Sequence, residues 1–103
     1  MTLSLVGDLD ILGGPRFVSH AADALRRRPR AMLVDMSAVA LMDSAGLAAL
    51  LNTLRRATHA GASMVLIGVP ETVHRVFELT RLDREFSFAP TQEVAERLVR
   101  QPL

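Results

Sequence analysis

The sequence contains no cysteine, and none of its 12 basic residues is lysine. The first absence excludes disulfides, thiolate nucleophiles and cysteine-ligated metals. The second excludes Schiff-base chemistry on a lysine and the lysine of a phosphate-binding loop. No apolar run approaches the roughly 18 residues that a bilayer span requires. The start, "MTLSLVGDLD", has no basic segment and meets an acid at Asp8, unlike a secretory signal. A cytoplasmic protein without membrane insertion is expected. Charge of one sign is also scarce: 12 basic against 11 acidic residues leave a net charge of +1. That balance exerts little long-range pull on a polyanion, so direct nucleic-acid binding is not expected. What is present is a chain of 103 residues, half of them hydrophobic. It is long enough for one core and too short for two, so one domain over 1–103 is expected.

The pattern along the chain alternates strands and helices. Leu3–Val6 is a short strand that stops at Gly7, and "GDLDILGGP" follows as a loop. Pro15 suits a first helical turn, and Phe17, Ala21 and Leu25 recur at i, i+4 and i+8, which predicts a helix over 15–28 before Pro29. Ala31–Met36 and Ser63–Gly68 are nearly unbroken apolar runs, the pattern of strands buried on both faces. Between them a helix over 44–59 is expected, with a core stripe of Leu47, Leu51 and Leu54, and with Asn52, Arg55, Arg56 and His59 outward. After Pro70, Val73, Val76, Phe77 and Thr80 mark a third helix of about ten residues. Phe86–Phe88 is a short last strand, and Thr91 with Glu93 opens a fourth helix through Arg100. Such alternation predicts an α/β domain, a small mostly parallel sheet of about four strands packed against about four helices. Sites in such domains gather in loops at strand carboxyl ends, here 7–14, 37–44 and 69–72.

"LMDSAGLAALL", residues 41 to 51, places Asp43 and Ser44 where the second helix starts. Either oxygen can cap the free first-turn amides, and one cap does not require both groups. A phosphate on Ser44 would be tolerated there by those amides and the helix dipole, while a docked partner would meet a new dianion beside Asp43. Asp8 and Asp10 suit turn chemistry; two acids with no third ligand nearby make a poor metal cage. "RRRPR", Arg26 to Arg30, reads as a solvated helix end, with no interleaved aromatics to stack bases. His20, His59 and His74 have no mutual spacing suited to a metal or a relay and are expected at the surface, and Met32, Met36, Met42 and Met64 suit core filling. Nothing within the chain can activate Ser44 as a nucleophile, so neither catalysis nor a cofactor is expected.

"GDLD", "LVDMSAVALMDSAGLAALL" and "GASMVLIGVPETVHRVFELTRLDREF", in this order over about residues 3 to 98, resemble the STAS domain of bacterial anti-sigma factor antagonists. The resembling pattern is G-E-L-D, then L-D-L-S-x-V-x-x-x-D-S-x-G-L, then L-x-G-x-x-x-x-V-x-x-x-x-x-x-T-x-L-D-x-x-F. The resemblance implies a STAS fold without catalysis. It also implies that an anti-sigma factor, itself a serine kinase, phosphorylates Ser44 and that a phosphatase reverses the modification. Unmodified, such a domain binds the anti-sigma factor and frees a sigma factor. Gly7, Asp8, Asp10, Asp43, Ser44, Ala45 and Gly46 fall where the resemblance implies partner contact. The alternative within the same fold is a STAS subunit of a membrane lipid ABC transporter, which needs no phosphorylation. Two departures stand out. Many members carry a second hydroxyl after the phosphosite, where this chain has Ala45, and members usually begin with a further strand. Without that strand, Leu3–Val6 is expected to be an exposed edge, a pairing hazard or a homodimer contact.

Overall fold

The computed structural model describes residues 1–100. The elements run β1 (Thr2–Val6), α1 (Gly13–Leu25), β2 (Ala31–Ala38), α2 (Ser44–His59), β3 (Ser63–Ile67), α3 (Glu71–Leu79), a 3-10 turn (Leu82–Arg84), β4 (Ser87–Ala89) and α4 (Gln92–Arg100). The strands form one sheet in the order β1-β2-β3-β4, and every neighbouring pair is parallel. The expected α/β fold is therefore present, and its described sheet is wholly rather than mostly parallel.

Chain order and strand order coincide, so three crossovers step the same way across the sheet. With one handedness they must lay α1, α2 and α3 on the same face. The core confirms this. Met32, Val34 and Met36 of β2 and Met64 and Leu66 of β3 join Phe17, Leu47, Leu50, Val73 and Phe77 in one cluster. The alternate residues Leu33, Val65 and Ile67 form a second cluster with Ala89 and Ala95, covered by α4. Burial on both faces explains why β2 and β3 read as continuous apolar runs. The four methionines expected inside are buried. α4 lies on β2, β3 and β4 and leaves β1 at the margin, where burial alternates along Thr2–Val6.

Several boundaries differ from those expected. α1 starts at Gly13, ahead of Pro15, because the Asp10 carboxylate accepts hydrogen bonds from the amides of Leu12 and Gly13 and so begins the turn earlier. It ends at Leu25, where Arg28 turns into a left-handed conformation. β4 is Ser87–Ala89, one residue later than expected. In α2 the deepest positions are Leu47, Leu50, Thr53 and Ala57, whereas Leu51 and Leu54 are only half-buried. The stripe is rotated because α2 faces α1 as well as the sheet, and the close approach of Ala49 to Gly14 favours small residues there. Thr53 is accommodated because its hydroxyl donates to the Ala49 carbonyl, 2.9 Å away. His20 and His59 are exposed as expected, but His74 is half-buried, with its ring edge-on to Phe88 and Nδ1 3.0 Å from Glu78.

The Ser44 loop as candidate functional site

At the carboxyl end of the sheet, β1 leaves through Gly7, whose φ of +95° suits a residue without a side chain. The following residues rejoin the loop after β2. The Leu9 amide donates to the Leu41 carbonyl (2.8 Å) and the Asp43 amide donates to the Leu9 carbonyl (3.2 Å), so Leu9 and Met42 pair as an isolated parallel bridge. Leu9 and Met42 are both buried beneath this seam. The two candidate loops, distant in sequence, thus become one ridge fixed by main-chain bonds.

The two polar residues at the helix start divide their work. Asp43 is the cap: its backbone is extended, its Oδ1 accepts from the Gly46 amide (2.9 Å), and its carbonyl accepts from the Leu47 amide (2.9 Å). Ser44 is the first helical residue, exposed, and no hydrogen bond engages its hydroxyl among the described residues. A helix of 16 residues begins there with its first amides directed at whatever occupies the position. Gly46 is buried, and a Cβ on it would run into the Leu9 carbonyl, so glycine is what lets the ridge close against the helix. Ala45 is half-buried beside it.

Asp8 is exposed on the ridge. Asp10 points inward to its own loop, where the amides of Gly13 and then Leu12 hold its carboxyl below the usual carboxylate range. Its structural task is to start α1. Gly13, which the sequence reading missed, is essential to that turn, because a Cβ would meet the Asp8 carbonyl; the "GG" doublet was the available signal. Asp35, within β2, was missed too. Its Oδ1 accepts from the amide (3.0 Å) and hydroxyl (2.7 Å) of Ser37, and these bonds, the amide first, lower its pKa. The acidic side chains of Asp8, Asp10 and Asp43 thus gather at this end of the sheet, with Asp35 farther back in β2. The remaining missed feature is apolar: Ile11 (72% exposed), Leu12 (78%) and Leu41 (54%) stand out from the ridge. Ile11 also lines a groove between α1 and α2 with Pro15, Val18, Ala45 and Ala48. Among the described residues no group of three His, Cys, Asp or Glu side chains is placed to hold a metal. The loop at 69–72 leads into α3, whose first residue is Glu71.

A family model described as "STAS domain" matches residues 1–95. The chain belongs to the STAS domain family. Among solved structures, this STAS domain is similar to an anti-sigma factor antagonist from Mycobacterium paratuberculosis, with 26% identity, a TM-score of 0.86, and coverage of 97% of this chain and 85% of that one. It shares its fold with the anti-sigma factor antagonist SpoIIAA of Bacillus, solved unphosphorylated and phosphorylated. The unphosphorylated form aligns at 19% identity and a TM-score of 0.73 over 98% of this chain and 89% of that one. A sulfate transporter family protein from Wolinella succinogenes has the same fold at 17% identity and a TM-score of 0.78, over 96% of this chain and 83% of that one. The same fold thus occurs in proteins with different names, so fold alone does not fix a role, which has to be read from the site.

Proposed function

We propose that this STAS domain is a phosphorylation-controlled anti-sigma factor antagonist. Unmodified, it binds an anti-sigma factor that is also a serine kinase and so releases a sigma factor. Phosphate on Ser44 ends the binding, and a phosphatase acting on phospho-Ser44 restores it. The observation that carries this reading is the division of labour at the helix start: Asp43 does the capping, which leaves the exposed Ser44 hydroxyl with no structural task. Two groups of neighbouring side chains supply a docking surface. The apolar side chains of Ile11, Leu12 and Leu41 offer contact area, and Asp8 and Asp43 offer charge. The domain acts by binding, so a dianion at the centre of that surface is sufficient to reverse it.

Incubation with ATP and candidate anti-sigma kinases, followed by intact-mass measurement, tests the proposal. One added phosphate, lost in Ser44→Ala, is expected. A chain that no such kinase modifies, and that co-purifies with a transporter ATPase instead, would contradict it and favour the transporter-subunit reading.

A further inference from the structure

We propose that the groove between α1 and α2 seats an amphipathic helix of the anti-sigma partner, lying antiparallel to both helices with an acidic amino-terminal turn. This rests on the function proposed above and adds which partner element binds, where it lies and which way it runs. The groove starts one residue from Ser44, at Ile11, Ala45 and Ala48, and ends among Arg26, Arg55 and His59. Ala22 and Arg56 line both stretches, so the two form one channel. Its walls are made for close approach. Gly14, Ala22, Ala45, Ala48 and Ala49 keep side chains short along it, while Ile11 and Val18 supply apolar contact at the Ser44 end. Along α2, the stretch from Ala45 to His59 spans roughly 21 Å at 1.5 Å per residue, room for a helix of about 14 residues.

Charge selects both the occupant and its direction. α1 and α2 each connect parallel strands, so both begin at the ridge and end at the arginines. No acidic side chain lines the channel among the described residues, although the chain has 11 acids. Two acids flank its basic end: Asp23 pairs with Arg26 (3.4 Å), and Glu85 lines a neighbouring groove with Arg55. Arg56 makes no ion pair among the described residues, which leaves its guanidinium for a partner's carboxylate. A helix entering antiparallel brings first-turn carboxylates, favoured at any helix start, to Arg56 and its positive dipole end to the carbonyl ends of α1 and α2. Its own carbonyl end then lies at Ser44. A phosphate there would face that negative end, which gives the switch its sign. A parallel helix would set like dipole ends together and forfeit this.

Calorimetric titration of the full chain against the anti-sigma kinase that phosphorylates it, without ATP and at low and high salt, tests this. Arg56→Gln should weaken binding about threefold and Arg56→Glu at least about tenfold, with the gap between them narrowing as salt rises. Ala48→Tyr fills the channel from an exposed position without changing charge and should also weaken binding at least about tenfold. Circular dichroism should show all three folded like the natural protein. Hydrogen exchange of the complex should protect one helix of the kinase, and Arg56→Glu should remove that protection. Full-strength binding by either Arg56→Glu or Ala48→Tyr would overturn the inference and leave the proposed function standing. A natural chain that binds no candidate anti-sigma kinase would overturn both.

Discussion

Asp43 and Ser44 are neighbours with opposite duties, and substitution should separate them. Removing the cap carboxylate with Asp43→Ala should cost roughly 0.5–2 kcal/mol. For a chain of this size each kcal/mol lowers Tm by about 4–8 °C, so thermal denaturation should show a clear drop. Ser44→Ala should leave Tm within a few degrees and abolish phosphorylation. Phosphopeptide mapping that found Ser37, Thr53 or Thr80 as the main site would contradict this. Thr53 is buried and bonded to Ala49, and the Thr80 hydroxyl bonds the Val76 and Phe77 carbonyls. Ser37, exposed, is tied to Asp35. Asp10 yields a pH dependence. Its folded pKa is depressed by the Gly13 and Leu12 amides, so its stabilisation is complete above the ordinary carboxylate value near 4 and disappears as pH falls through the lower folded value. The stability gap between the natural protein and Asp10→Asn, followed by circular dichroism, should be constant from about pH 5 to 7 and should narrow below about pH 4. A gap that stays constant into strong acid would show that the charge is not what the amides hold. At this scale the sequence told that a cap was required; which oxygen supplied it depended on backbone angles that side-chain identity does not specify.

At the scale of elements, the seam between the Leu9 and Asp43 segments is what turns two loops into one surface. Gly46→Ala sets a methyl against the Leu9 carbonyl and should cost about 1–3 kcal/mol, as overpacking against a rigid neighbour does. It should also open the bonds at Leu9 and Asp43, giving faster hydrogen exchange at both amides. Unchanged exchange there would contradict the role assigned to the seam. The seam was not legible in the sequence, because it depends on main-chain atoms 30 or more positions apart, and the turn through Gly13 left only the "GG" doublet as its signal, because it depends on how closely two backbones approach. The strands and helices were legible because each carries a local period. The error at Leu51 and Leu54 arose where hydrophobicity and packing diverge: the side of α2 nearest α1 selects small side chains such as Ala45 and Ala49, not the largest apolar ones.

For the whole molecule, the parallel sheet gathers different side chains at its two ends. Parallel strands bring every carboxyl-end loop to one side, and there Asp8, Asp43 and the exposed Ser44 meet the apolar side chains of Ile11 and Leu41. The opposite end carries the arginines of 26–30. Family membership was legible from three spaced motifs, while the apolar half of the ridge was not, because exposed Ile, Leu and Leu read as core residues until the loops are folded. A partner that accepts the carboxylate of Asp43 must also accept, after modification, a local charge of about −2.5 to −3. An unpaired charge in an interface costs about 2–5 kcal/mol, roughly 30-fold to several thousand-fold in affinity. Ser44→Asp brings one charge and fewer acceptor oxygens and should reproduce part of that loss. The decisive measurement is calorimetric titration of the unmodified, Ser44→Asp and phosphorylated proteins against the anti-sigma partner. Affinity is expected to fall in that order, with the phosphorylated form weaker than the unmodified one by at least 30-fold. Equal affinities among three forms that circular dichroism shows to be folded would mean that Ser44 is not a switch.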